Sequence, residues 1–203
     1  MPESEVRQSL IAQRVIPVLR LSSAELTERA IDCLCEAGFN AFEITMTTPG
    51  GVALIRKLSD RVLIGAGTVL DLDTAKRCLN AGARFLVSPC VVAGMAALAH
   101  KFDRTAMLGG FTPGEILAAH REGADVVKVF PASSGGPEHL RAIHAVFPDL
   151  LLCPTGGVSL ENMQAYFDAG AALVGIGNHI VDQRALAAND RDRVVAHARR
   201  FLA

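Results

Sequence analysis

One joint recurs along this chain: a helix-like stretch ends, a glycine follows, and an apolar run begins. It is written Glu36-Ala37-Gly38-Phe39, Asn80-Ala81-Gly82-Ala83, Glu122-Gly123-Ala124 and Asp168-Ala169-Gly170-Ala171. Glycine just past a helix can take the left-handed conformation that closes the last turn, so each copy reads as an αβ turn. Apolar, β-branched runs occupy 15–19, 41–45, 62–64, 85–87, 105–108, 126–130, 150–153 and 173–176. Between them, 24–37, 74–81, 91–100, 113–122, 138–146 and 160–169 carry apolar residues at a helical period. Strands alternating with helices require a parallel sheet covered by helices, and eight such strands favour a closed (β/α)8 TIM barrel. The expectation is therefore an α/β chain with one barrel domain over 1–203, an extra N-terminal helix over 4–14 and a terminal helix over 184–202. An open doubly wound sheet is the competing architecture, but no Gly-x-Gly-x-x-Gly follows the first run to mark a dinucleotide site.

Half of the 203 residues are hydrophobic, enough for one substantial core. A formal net charge of −1 with scattered arginines argues against a nucleic-acid partner. No apolar run approaches the length of a membrane span, and Met1-Pro2-Glu3-Ser4-Glu5 lacks the basic-then-apolar pattern of a signal peptide. A cytoplasmic location is expected. Cys33, Cys35, Cys78, Cys90 and Cys153 fit neither a zinc site nor a Cys-x-x-Cys pair, and most of them read as small buried hydrophobes. His100, His120, His139, His144 and His197 fall in helical stretches, and only His179 lies near a strand end. No histidine-ligated metal is expected.

Lysine is scarce: Lys57, Lys76, Lys101 and Lys128 stand against sixteen arginines. Three of them lie in polar, helix-like surroundings, whereas Lys128 sits inside Ala124-Asp125-Val126-Val127-Lys128-Val129-Phe130-Pro131. Burial in such a strand favours the neutral amine, which is a nucleophile towards carbonyls. The plainer account is a head that snorkels to the strand end, or one that pairs with a carboxylate from another element. Glu43, in Ala41-Phe42-Glu43-Ile44-Thr45, shares the predicament. Strand alternation turns both charged side chains away from their apolar neighbours and towards the barrel mouth. A buried ion pair seldom outdoes apolar replacements of similar volume, so its presence invites a functional reason. An amine beside a carboxylic acid suits Schiff-base chemistry, in which carbinolamine formation and dehydration both move protons.

Barrels of this kind place their chemistry at the C-terminal ends of the strands. Those ends hold Arg20, then Glu43 with Thr45, Thr47 and Thr48, then Gly65-Ala66-Gly67-Thr68, Ser88-Pro89 and Gly109-Gly110. The last three hold Lys128 with Phe130-Pro131, Thr155-Gly156-Gly157, and Gly175-Ile176-Gly177-Asn178. Backbone N–H groups of Gly156, Gly157, Gly177 and Asn178 can approach an anion without side-chain obstruction, so a phosphorylated small molecule is the expected ligand. Arg20 suits a bidentate clamp on a carboxylate, with Thr47 and Thr68 as neutral donors, against the plainer reading of a solvated loop arginine.

Five ordered segments carry a resemblance. Phe42-Glu43-Ile44-Thr45, Ile64-Gly65-Ala66-Gly67-Thr68-Val69, Val87-Ser88-Pro89, Val127-Lys128-Val129-Phe130-Pro131-Ala132 and Cys153-Pro154-Thr155-Gly156-Gly157-Val158 resemble the signature segments of the 2-keto-3-deoxy-6-phosphogluconate (KDPG) aldolases. The likeness runs from about residue 14 to residue 182. It implies a trimeric class I aldolase, a carbon–carbon lyase that needs neither metal nor cofactor because a protonated imine is the electron sink. In that role Lys128 would form a Schiff base with the 2-keto group, and Glu43 would act through water as general acid and base. Cleavage of the C3–C4 bond would give pyruvate and glyceraldehyde 3-phosphate. The resemblance also implies Thr68 and Pro89 at the pyruvate end and Gly156, Gly157 and Gly177 at the phosphate; Phe130, at the sixth strand end, is a further candidate substrate contact.

Two departures stand out. Thr47 occupies a place where some members carry arginine, which shifts carboxylate binding towards Arg20, and Asn178 stands where a serine is frequent. Thr155 before Gly-Gly resembles the gluconate-type enzymes, whereas the related phosphogalactonate aldolases often carry an apolar residue there. Near alternatives are the same chemistry on the phosphogalactonate epimer or on 4-hydroxy-2-oxoglutarate. Remoter ones are a phosphosugar isomerase or epimerase barrel and a non-catalytic phosphate-binding barrel.

Overall fold

The repeated glycines behave as their positions predict. Gly38, Gly82, Gly123 and Gly170 hold φ of 119°, 100°, 97° and 102°, a region that side chains with a Cβ avoid. Each turn sends the chain from a helix into the next strand. The computed structural model describes residues 2–202, with the side chain of Asn178 outside that description.

Among the described residues are eight strands: β1 (Val15–Leu19), β2 (Ala41–Thr45), β3 (Leu63–Gly67), β4 (Phe85–Val87), β5 (Thr105–Gly110), β6 (Val126–Val129), β7 (Leu152–Pro154) and β8 (Val174–Ile176). They pair in parallel in the order β7-β6-β5-β4-β3-β2-β1-β8. Bridges Leu152↔Ala171 and Thr155↔Gly175 bring the two ends of that order together and close the ring. The helices are α1 (Glu3–Gln13), α2 (Ala24–Ala37), α3 (Gly51–Leu58), α4 (Leu72–Asn80), α5 (Met95–Lys101), α6 (Pro113–Arg121), α7 (Gly136–Val146), α8 (Met163–Asp168), α9 (Gln183–Ala187) and α10 (Arg191–Arg199). This is the expected (β/α)8 barrel with its extra N-terminal helix. None of the described helices is long and apolar enough to cross a membrane.

Strand alternation divides the core in two. Phe42, Ile44, Ile64, Leu86, Leu108 and Val127 pack outward against the helices, while Ile16, Ala41, Phe85, Met107, Val126 and Cys153 fill the lumen with Val6 and Leu10 of α1. Val6 and Leu10 are fully buried, which stabilises the plugged floor by about 1.5–3 kcal/mol for each side chain. Gln13 locks the plug to the sheet: its Nε2 donates to Ala41 O at 2.9 Å, and its Oε1 accepts from Asn40 N and Ala41 N at 2.8 and 2.9 Å. With one end of the barrel shut, ligands reach the lumen from the other.

Several boundaries differ from expectation. The third run, expected to end at residue 64, continues through Gly67, because Glu43↔Gly65 and Thr45↔Gly67 pair in register. Glycine suits those places because the lumen beside them is already full: a Cβ on Gly65 would lie 2.3 Å from the Phe85 ring. The seventh strand starts at Leu152 rather than residue 150. The fifth helix starts only after Gly94, whose φ is 78°. The terminal helix expected over 184–202 is two helices, broken at Asn189 (φ 57°) and restarted where the Asp190 side chain accepts from Arg193 N.

Candidate active site

A cavity of about 430 Å³ opens at the C-terminal ends of the strands. Arg20, Glu43, Thr68, Pro89, Lys128, Phe130, Thr155, Gly156, Gly157 and Gly177 all line it, so residues from seven strand ends converge there as expected. Thr47 does not line it: the residue is exposed, its hydroxyl lies 2.9 Å from Thr45 Oγ1, and it faces a separate pocket with Met46 and Pro49. Asn178 opens the 3-10 turn Asn178–Ile180, and its side chain lies outside the described residues. Val18, Val158 and His179 complete the lining. Position beside a strand end was the signal for His179; Val18 and Val158 gave none, being apolar among apolar neighbours. A larger cavity, about 520 Å³, lies beside Arg14 and Phe167 and gathers no buried ionisable pair.

Lys128 and Glu43 are 5% and 4% exposed, and Lys128 Nζ stands 3.9 Å from Glu43 Oε1. That separation exceeds a direct charge-assisted hydrogen bond. Glu43 Oε1 is buried and has no hydrogen-bond partner among the described residues. A buried carboxylate oxygen without a partner in the fold calls for an explanation. Lys128 Nζ also lies 5.5 Å from the Phe130 ring centroid, within cation–π range.

Gly67 of β3 makes room for Glu43, and Gly109 of β5 makes room for the Pro89 backbone. A Cβ at Gly67 would fall 1.9 Å from Glu43 Oε1, and one at Gly109, the register partner of Lys128, would fall 2.3 Å from the Pro89 backbone. Beside the lysine, on β7, sits its other register partner, Cys153. Burial pushes the Cys153 thiol up to about 11, outweighing its contact with Thr155 and the nearby Lys128 charge. Thr155 Oγ1 donates to Cys153 O at 3.4 Å.

Thr68 holds φ at 57°. A β-branched residue in the left-handed region costs on the order of 1–3 kcal/mol, and such strain tends to be kept where it positions a functional group. Across the mouth, Gly156 and Gly157 take φ of 89° and 82°, and a Cβ on Gly157 would meet Ser133 Cβ at 2.5 Å. Gly177 is different, since a Cβ there would meet no atom within 4 Å. The space beside the Gly177 backbone is therefore open to a ligand. The described residues include no group of three or more His, Cys, Asp or Glu side chains able to hold a metal ion.

Comparison with known proteins agrees with this geometry. The chain is 40% identical over 158 residues to the 2-dehydro-3-deoxy-phosphogluconate aldolase of Pseudomonas aeruginosa, covering 75% of this chain and 71% of that one. It is 36% identical over 187 residues to a probable 2-dehydro-3-deoxy-6-phosphogalactonate aldolase of Rhizobium meliloti, covering 90% and 88%. The fold superposes with a TM-score of 0.87 on the KDPG aldolase of Legionella pneumophila, solved with pyruvate captured as a covalent carbinolamine, at 29% identity over 96% of each chain. Residues 6–197 match the family described as KDPG and KHG aldolase, a span wider than the sequence segments alone marked out. By these matches the chain belongs to the KDPG and KHG aldolase family and is a carbon–carbon lyase.

Proposed function

We propose that the chain cleaves 2-keto-3-deoxy-6-phosphogluconate to pyruvate and glyceraldehyde 3-phosphate, with Lys128 as the Schiff-base lysine. The observation that carries this reading is the pair Lys128 and Glu43, both buried, 3.9 Å apart, at the floor of one cavity. The Lys128 amine attacks the C2 ketone, and loss of water from the carbinolamine gives the iminium. Glu43, acting through water, supplies and removes the protons of those steps. Removal of the C4 hydroxyl proton then breaks the C3–C4 bond, and the electrons pass into the iminium to give the enamine of pyruvate. Glyceraldehyde 3-phosphate leaves, C3 is protonated, and hydrolysis of the imine frees pyruvate and Lys128.

Thr68 and Pro89 form the wall at the pyruvate end in this reading, and Phe130 flanks the lysine. The backbones of Gly156, Gly157, Gly177 and Asn178 receive the phosphate. Thr155 stands where the two C4 epimers would differ. The same reading carries one barrel domain acting as a cytoplasmic homotrimer, and Leu70 and Leu72, exposed apolar residues just past the Thr68 turn, are suited to contact between copies. The trimer is checked by light scattering.

A second substrate has a specific observation behind it, the extensive likeness to a probable phosphogalactonate aldolase. A lactate-dehydrogenase-coupled assay separates the readings by kcat/KM for the gluconate substrate, its galactonate epimer and 4-hydroxy-2-oxoglutarate. The gluconate substrate is expected to lead. Interconversion of phosphosugars without pyruvate release would overturn the aldolase assignment.

A further inference from the structure

We infer that the closed end of the barrel, opposite the mouth that holds Lys128, carries an oligophosphate site built on Arg84 and Arg104 and extended by Arg14 to take a nucleoside di- or triphosphate. The inference does not depend on the substrate proposed above. Phe85 of β4 pairs in register with Thr105 of β5, so the residues just before them, Arg84 and Arg104, stand side by side where the two strands begin. Their backbones meet there, with Thr105 N donating to Arg84 O at 3.4 Å. Like charges opposite each other on neighbouring strands destabilise a sheet, and an anion held between them removes that cost. Neither guanidinium has a carboxylate within ion-pair distance among the described residues. Both arginines are half-buried. Burial first, and the Arg84 charge next, hold the Arg104 guanidinium below its usual value, against the pull of Asp103.

Two adjoining cavities lie at this end. One, of about 460 Å³, is lined by Arg84, Arg61, Ser59 and Asp60. Arg61 is engaged by Asp32, so Arg84 is the lining cation left uncommitted, and its fork of donors suits the oxygens of a phosphate. The other cavity, of about 520 Å³, is lined by Arg14, Phe167 and Gln164. Ser9 and Asn40 border both, which makes the two one trough of a size that small ligands occupy. At the end of the trough away from Arg84, the Arg14 guanidinium lies 4.1 Å from the Phe167 ring centroid. Arg14 is exposed, holds φ at 64°, and has no carboxylate within ion-pair distance among the described residues. A guanidinium laid on a ring presents its other face outward, and a planar base stacks on such a face. Phosphates at Arg84 and Arg104 and a base over Arg14 are the two ends of one nucleotide, whereas a free oligophosphate uses only the first.

Isothermal titration at one fixed ionic strength, with pyrophosphate and ADP as the probes, tests the site. Arg84→Met, Arg104→Met and Arg14→Met are compared with the unsubstituted enzyme, and Arg121→Met, at an exposed arginine of α6, controls for net charge. Arg84→Met and Arg104→Met are each expected to raise Kd for both probes about tenfold to a hundredfold, the loss of a hydrogen bond to a charged group. KM for KDPG and the circular dichroism spectrum stay unchanged in both. Arg14→Met is expected to raise Kd for ADP about fivefold or more, the loss of a stacking platform, and to leave pyrophosphate unaffected. An unchanged ADP affinity in Arg14→Met overturns the base subsite and leaves a site for free oligophosphate. Equal weakening in Arg121→Met overturns the whole inference, because the attraction is then one of net charge. Full-strength binding in both Arg84→Met and Arg104→Met also overturns it, by placing the phosphates at the mouth, as does absence of binding by the unsubstituted enzyme.

Discussion

Gly67 and Glu43 occupy one volume between them: a Cβ at position 67 would stand 1.9 Å from Glu43 Oε1. The strand residue beside the carboxylate must therefore lack a side chain, or the carboxylate must move. Gly67→Ala is expected to displace Glu43 from Lys128 and lower kcat by at least about a hundredfold, the scale of a lost general acid–base. Circular dichroism should show the barrel intact. A Gly67→Ala enzyme with unchanged kcat would mean that the position of Glu43 is irrelevant to turnover.

The 3.9 Å approach of Lys128 to Glu43 predicts an energetic coupling between them. Lys128→Met leaves a buried carboxylate without its cation, at a cost of about 3 kcal/mol near neutral pH, and the double variant Lys128→Met/Glu43→Gln recovers much of it. Urea unfolding monitored for the three proteins measures this. Equal stability of the single and double variants would show that the charges do not feel each other. Neither variant turns over substrate.

The floor of the barrel offers a pH test. Glu3 begins α1, and its carboxyl is raised above the ordinary 4.5 by burial first and by the neighbouring Asp125 next, against the opposing pull of Arg7 and His100. An acid raised in the folded state contributes its stability at low pH and loses it as pH climbs through the raised value. Glu3→Gln, which cannot ionise, should therefore raise Tm at pH 7 and leave it unchanged at pH 4. A lower Tm at pH 7 would show that the Arg7 contact at 3.4 Å outweighs the repulsion.

Thiol reactivity should separate the cysteines. Alkylation proceeds through the thiolate, and burial pushes both Cys78 and Cys153 up to about 11. Cys90 is exposed. Iodoacetamide at pH 8 should label Cys90 first and reach Cys78 and Cys153 only after denaturation, as read by peptide mass mapping. Early labelling of Cys153 in the folded protein would mean that the space beside Lys128 on β7 is open to solvent.

The parts of this molecule that were legible in the sequence are those in which a residue type conflicts with its surroundings. Glycines closing helices gave the repeat, and charges in apolar runs gave Lys128 and Glu43. What escaped was set by space rather than by type. Gly65 and Gly67 look like loop glycines until the Phe85 ring and the Glu43 carboxylate are seen to fill the lumen beside them. The left-handed backbone of Thr68 carries no mark in a threonine's identity. Thr47 lies two residues past a strand end, yet the turn carries it into a separate pocket with Met46 and Pro49. His179 was visible only as a histidine near a strand end, because its closeness to Arg20 depends on β8 returning to β1, a contact between the two ends of the chain.

The most direct measurement is borohydride reduction of the enzyme in the presence of pyruvate, followed by peptide mapping. The expected result is one reduced adduct, on Lys128, absent when pyruvate is omitted. No adduct, or an adduct on Lys57, Lys76 or Lys101 instead, would contradict the assignment of Lys128 as the Schiff-base lysine.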